Sequence, residues 1–272
     1  MIEAKKLACW SADVGDMLAH IDDDALPHWM DAALHRLVAF DLSVVFAYPA
    51  RRSPVLLFDG FRGASPRESL RAYLGGTYLL DPFAIACRAE VPPGLYRMAE
   101  LAPDKFFEGE YFNSWQVHPC ISMESGTLAE EIGYLFPFRP DVMVAFSLMR
   151  SHGGRAFDCD EFALLKAIEP VVRQTLTLHW RRSQRARAKL QNPDERSDLD
   201  NAFESFASEG LTPQQRRIVQ LILRGHSNAS IGGQLGISEG TAKNHRHAIY
   251  DRLKISSQSE LFALFIRHLS NP

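Results

Sequence analysis

Lys243, Asn244 and His247 stand at i, i+1 and i+4, a spacing that sets three hydrogen-bond donors on one side of an α-helix. Lysine reaches guanine O6 or N7, asparagine pairs bidentately with adenine, and histidine donates to an acceptor edge, so the chemistry on offer is base reading in a DNA major groove. Phosphate oxygens, which fix register without reporting sequence, would be held by Ser227, Asn228, Ser238, Thr241, His245, Arg246 and Arg252 around that face. A polar flank by itself also fits an ordinary small helical domain, because every amphipathic helix has one.

A helix must carry that flank, and its neighbours say where it begins. Ser238 supplies an N-cap for a helix over Glu239–Leu253, with Ala242, Ile249 and Leu253 facing inward. Two shorter helices precede it. Thr212-Pro213-Gln214-Gln215 combines an N-cap, a proline at the first helical position and a glutamine three residues on, a capping box that starts a helix. Ile218, Leu221 and Ile222 form its apolar face, and Gly225 ends it. A second helix spans Asn228–Leu235, and Gly236-Ile237 makes the following turn. Two short helices, a glycine turn and a longer polar helix make a helix-turn-helix. The fourth helix, over 257–269, has an inward stripe of Leu261, Leu264 and Phe265. Phe262, Ile266 and Leu269 form a second apolar edge, which takes either a second copy of the chain or the N-terminal domain.

At 272 residues with 46% apolar content, the chain is long enough for two domains. The polar stretch 181–210, with the turn signal Asn192-Pro193-Asp194, separates them. The division expected is a ligand-sensing and dimerisation domain over 1–182, a linker over 183–208 and a helix-turn-helix domain over 209–272. From Ser205 onward eight Lys and Arg face four Asp and Glu, while the whole chain carries −3. A basic tail on an acidic body suits a nucleic-acid partner for the tail. The longest apolar runs fall far short of the roughly 20 residues of a membrane span, and no signal-peptide core follows Met1, so no membrane partner and a cytoplasmic location are expected. Four scattered cysteines without a C-x-x-C read as buried free thiols; no disulfide, metal or cofactor is expected.

Before the linker the periods are mixed. Apolar runs at 42–48, 55–58, 121–128, 132–138 and 142–149 predict five short strands, the last three as an antiparallel meander. Helices are expected over 26–39, 66–78, 103–115 and 160–180, with Pro170 kinking the last. The fold class expected is α+β: a mainly antiparallel five-stranded sheet flanked by helices, a PAS/GAF-like sensor, joined to an all-α four-helix module. Phe106, Phe107, Tyr111, Phe112 and Trp115 recur at helical spacing and read first as core, with Tyr111 and Trp115 as candidate pocket lining. Asp22-Asp23-Asp24 and Glu130-Glu131 read as solvated turn charges. None of G-x-x-x-x-G-K-[ST], G-x-G-x-x-G after a strand, G-x-S-x-G or H-E-x-x-H occurs, so an enzyme is not expected.

The segment LTPQQRRIVQLILRGHSNASIGGQLGISEGTAKNHRHAIYDRLKISSQSEL resembles the DNA-binding domain of the LuxR family of bacterial transcription regulators. It has that family's LT at the first helix, G-x-SN at the second, IS-x-x-T-x-K-x-H through the third and RL-x-I before the last. Gln215 stands where the family usually has glutamate, and Gly232 and Gly233 where it has better helix formers. The resemblance implies base contacts by Lys243, Asn244 and His247, and pairing through the fourth helix into a homodimer on a two-fold operator.

A second segment, YLGGTYLLDPFAIACRAEVPPGLY, is similar to the acyl-homoserine-lactone-binding domain of the same family, with Tyr73, Asp81-Pro82 and Tyr96 in the matching places. That implies a quorum-sensing-like pocket in which Asp81 accepts an amide N–H while Tyr73, Tyr78 and Tyr96 lend hydroxyls and flat walls. Asp81 also reads as a cap or turn residue before Pro82. The implied function is a transcription regulator whose N-terminal domain binds a small-molecule effector, acyl-homoserine-lactone-like or another metabolite, and so modulates binding to operator DNA. RNA polymerase is a further expected partner. The alternative is a ligand-independent regulator whose N-terminal domain serves dimerisation or protein contacts.

Overall fold

The computed structural model of the chain describes residues 4–50, 52–61, 67–114, 128–151, 153–183, 202–206 and 210–270. Five strands, β1 (Leu42–Pro49), β2 (Val55–Asp59), β3 (Gly94–Arg97), β4 (Leu128–Arg139) and β5 (Val142–Ser151), form one sheet in the order β2-β1-β5-β4-β3. All neighbours pair antiparallel. Alternation along each strand sends side chains into two cores. In β5, Val142, Val144, Phe146 and Leu148 pack against α1 (Ala4–Ala19), α2 (Leu26–Leu37), α7 (Cys159–Ala167) and α8 (Glu169–Arg182). Met143, Ala145 and Met149 face the other way, toward α3 (Arg67–Leu74), α4 (Pro82–Arg88), α5 (Met98–Leu101) and α6 (Glu110–Asn113). A strand buried on both faces reads as a continuous apolar run, as β5 does.

The α+β class and the five-stranded sheet agree with expectation, but one strand differs. The run at 121–128 lies outside the described residues except for Leu128, which opens β4. The fifth strand is instead Gly94–Arg97, an edge strand paired with β4 through Leu95 and Tyr134, too short to show a period. β4 and β5 form an antiparallel hairpin as expected, and β1 pairs with β5 over Leu42–Pro49. The aromatic stretch expected as one helix is a 3-10 turn, Phe106–Glu108, then Gly109, then α6. The expected helix over 160–180 divides at Ile168, and Pro170 falls in the first turn of α8, where a missing N–H costs nothing. Of the cysteines, Cys87 is buried, but Cys9 and Cys159 are exposed, contrary to expectation. Among the described residues no helix is long and apolar enough to cross a membrane.

The C-terminal helices follow their local signals closely. They are α10 (Pro213–Leu223), α11 (Asn228–Leu235), α12 (Glu239–Leu253) and α13 (Gln258–Ser270), preceded by the single turn α9 (Ala202–Ser205). Thr212 and Gln215 exchange both capping-box hydrogen bonds, at 3.2 and 3.1 Å. Ser227 and Ser238 cap α11 and α12. Ile218, Ile222, Ile231, Ala242, Ile249, Leu261 and Phe265 are fully buried, while Leu235, Leu253 and Leu264 are only half-buried. Gly232 costs α11 about 1 kcal/mol of helix propensity, yet a Cβ there would come within 2.7 Å of the Ile237 carbonyl oxygen, so the glycine lets the turn close. Phe203 of α9 stacks on Phe265 with ring centroids 4.7 Å apart.

The two parts touch at a defined joint. The Lys105 N–H donates to the Gly225 carbonyl at 2.8 Å, and Arg224 Nε donates to the Leu79 carbonyl at 3.2 Å. Gly225 has φ +91°, and a Cβ there would lie 2.6 Å from Phe106 Cα, so glycine is required both for the turn and for this approach.

Candidate DNA interface and effector site

On α12, Lys243, Asn244 and His247 are exposed, while Ala242 and Ile249 anchor the opposite side in the core. Thr241 is exposed, with its hydroxyl 2.8 Å from that of Ser238; His245 is half-buried. Asn228 opens α11, and Ser227 before it accepts the Ser230 N–H at 3.1 Å. Two basic side chains are engaged within the module. Arg246 donates to the Tyr250 hydroxyl at 3.0 Å and to Gln258 Oε1 at 2.8 Å. Arg252 donates to Gln215 Oε1 at 2.7 Å, tying α12 to the first cap. Phe262, Ile266 and Leu269 are half-buried against the core that holds Phe265.

In the first domain a buried polar chain crosses the sheet face covered by α3 and α4. Tyr73 of α3 donates to Asp81 Oδ2 at 2.6 Å, and the Tyr48 and Tyr73 hydroxyls lie 2.6 Å apart. With the single Tyr73 proton committed to Asp81, Tyr48 is the donor between the two tyrosines. Asp81 Oδ1 accepts the Phe83 N–H at 2.8 Å, so the residue both caps α4 and ends the hydroxyl chain. Glu131 shares the inward face of β4 with Gly133 and Leu135 and is buried there, bonded to Ser147 of β5. Burial pushes Asp81 up, against the hydrogen bonds from Tyr73, Phe83 and Ala84. Burial and then the Asp81 charge push Glu131 up further, against its Ser147 bond. The Cys87 thiol is raised by the same two causes. Each ionisation here makes the next costlier, so the cluster retains protons. Its carboxyl oxygens offer acceptors for an amide N–H, while both hydroxyl protons are already spent within the chain.

Among the other expected pocket residues, Tyr78 is buried, with the Arg88 guanidinium 5.2 Å above its ring. Tyr111 is buried near Tyr73, whose hydroxyl is raised by burial, Asp81, Tyr48 and then Tyr111. Tyr96 stands apart, half-buried and donating to the Pro92 carbonyl at 2.7 Å. Trp115 lies outside the described residues. Tyr48 and Glu131 were not expected in the site. The reading of Glu130-Glu131 as solvated turn charges is corrected on both counts: Glu131 is buried, while Glu130 pairs with Arg97 and accepts the Phe157 N–H at 2.6 Å. The available signal was alternation, which puts Glu131 on the face of Gly133 and Leu135. A cavity of about 540 Å³ between the β4–β5 turn and the end of α4 has Tyr48, Cys87 and Arg88 in its wall, so it meets the polar chain at its Tyr48 end, with Tyr73, Asp81 and Glu131 behind that wall.

A helix-turn-helix joined to a five-stranded sheet flanked by helices is the architecture of a DNA-binding regulator. Residues 209–265 match the GerE model, described as bacterial regulatory proteins of the luxR family. A putative HTH-type transcriptional regulator in the exeN 3' region of Aeromonas salmonicida is 30% identical over 193 residues, which cover 70% of this chain and 94% of that protein. The response regulator protein TodT of Pseudomonas putida is 36% identical over 78 residues, 28% of this chain and 34% of its own length. The chain belongs to the LuxR family of bacterial regulatory proteins. Among solved structures, the VqsR LBD domain of Pseudomonas aeruginosa superposes with a TM-score of 0.54 at 20% identity, over 64% of this chain and 98% of that one, a likeness of fold.

Proposed function

We propose that this LuxR-type DNA-binding regulator takes a small-molecule effector in its first domain, at the Tyr48, Tyr73, Asp81 and Glu131 cluster, and that occupancy modulates operator binding. The observation that carries the reading is the buried Tyr48–Tyr73–Asp81 chain with Glu131 beside it. Buried ionisable groups cost stability unless satisfied, and a cluster of them beside a cavity is a site where a donor-bearing ligand gains specific contacts. Lys243, Asn244 and His247 read base edges; Ser227, Asn228, Ser238 and Thr241 hold phosphates. Arg246 and Arg252 would reach phosphate only by leaving their partners in the module. Phe262, Ile266 and Leu269 serve a second copy of the chain on a two-fold site.

The reading is tested by thermal shift of the full chain against acyl-homoserine lactones and against amide- and hydroxyl-bearing metabolites. A ligand at about 100 times its dissociation constant stabilises by roughly 2.7 kcal/mol, and Asp81→Asn abolishes that shift. A ligand that stabilises wild type and the variant equally removes Asp81 from the site. The absence of any shift across the panel goes against an effector.

A further inference from the structure

Asp104 lies just before the 3-10 turn Phe106–Glu108 of the first domain, yet its bond is to the DNA module: Oδ1 accepts the Ser227 backbone N–H at 2.9 Å. Ser227 is the N-cap of α11, and its hydroxyl is already engaged with Ser230. A carboxylate therefore occupies the outermost donor at the positive end of that helix. Desolvation opposes ionisation, but the hydroxyl and N–H of Ser227, with the Asp104 backbone and the nearby His226, together hold the Asp104 carboxyl below its ordinary range, so it is an anion there. Asp104 is itself exposed and contributes nothing to either core. Its neighbours keep it in place, through Lys105 to Gly225 and the packing of Phe106 on Gly225.

A helix N-terminus with free N–H groups is what helix-turn-helix proteins present to DNA phosphate. Carboxylate and phosphate ask the same of it, a negative oxygen about 2.8 Å from the donor. We propose that the Asp104 carboxylate is an internal stand-in for a DNA phosphate at the N-terminus of α11, so that the docked arrangement is a closed state which duplex DNA opens by displacing it. The proposal rests on the DNA-binding reading above and adds the residue that opposes it. Lys243, Asn244 and His247 remain exposed in the docked arrangement, so the backbone grip is what is blocked, and the base-reading face is not. Asp104 excludes phosphate twice, by occupying the donor and by like charge.

The experiment uses the full chain and a fluorescein-labelled random-sequence duplex of about 40 base pairs, with anisotropy read from about 50 to 200 mM salt. Asp104→Ala removes the carboxylate without touching a core. Glu110→Gln weakens the separate bond from Ser259 of α13 to Glu110, elsewhere in the joint. Asp104→Ala tightens binding by roughly five-fold or more, the low end of coupling between linked sites, and Glu110→Gln tightens it less. Equal affinity of wild type and Asp104→Ala at every salt concentration overturns the proposal and leaves the DNA-binding reading standing. An equal gain in the two variants assigns the effect to a loosened joint and overturns Asp104 as a phosphate stand-in. If neither wild type nor Asp104→Ala binds at the lowest salt, both the proposal and the DNA-binding reading fall.

Discussion

Replacing Glu131 with glutamine removes the more strongly raised of the two carboxyls in the buried Tyr48–Tyr73 cluster and keeps hydrogen bonding to Ser147. In the folded chain Glu131 holds its proton up to about 8, against an ordinary glutamate value of 4.5. Between those values the folded state carries a proton that the unfolded state has lost, so stability falls as pH rises, by about 1.4 kcal/mol per unit. From pH 5 to pH 7 the loss is therefore about 3 kcal/mol. Asp81, raised from 3.8 to about 6, adds a smaller loss in the same direction at the acid end of that window. Glutamine does not ionise, so Glu131→Gln differs little from wild type near pH 5 and is the more stable protein at about pH 7 and above, by on the order of 3 kcal/mol. Urea unfolding across this range gives both curves, followed by the fluorescence of the buried Trp10 and Trp180. Two parallel curves, or a wild type that gains stability toward pH 8, would refute a protonated Glu131 in the core.

Tyr73→Phe leaves Tyr48 and Asp81 without their shared partner and lowers unfolding stability by about 1–3 kcal/mol in the same urea assay. Gly225→Ala sets a Cβ against Phe106 at a left-handed φ, costing at least about 1–2 kcal/mol; faster proteolysis at the joint reports it. Arg252→Ala leaves the buried Gln215 Oε1 with the Thr212 N–H as its remaining donor and lowers the stability of the C-terminal module by about 1 kcal/mol, visible as a lower denaturant midpoint. Lys243→Ala relaxes preference at one base position by about 1–3 kcal/mol; an unchanged consensus in selection from a random library would remove Lys243 from the reading face.

How much of this was legible in the sequence depended on how far apart the interacting residues lie. The caps at Thr212, Ser227 and Ser238 and the turn at Gly236 are local events within four residues of one another's partners, so the module could be placed helix by helix. Strand β3 owes its existence to pairing with β4, far along the chain, and four residues carry no period of their own. Glu131 looked like a surface charge because its type outweighed its position; the packing of helices over both faces of β4, which comes from distant segments, makes it interior. Asp81 was read as either cap or ligand group, and geometry makes it both a cap and a partner of Tyr73. Gly225 had a sufficient local reason, ending α10, which hid the second one, the approach of Phe106.

The short 3-10 turn Thr77–Leu80 is entirely buried and leads straight into Asp81. Asp81 is fastened to Tyr73, and two residues earlier the Leu79 carbonyl is fastened to Arg224. A stretch bolted at both points behaves as a crank rather than a spring. One buried turn thus carries both the interior contact of Asp81 and the Leu79 contact to the C-terminal helices.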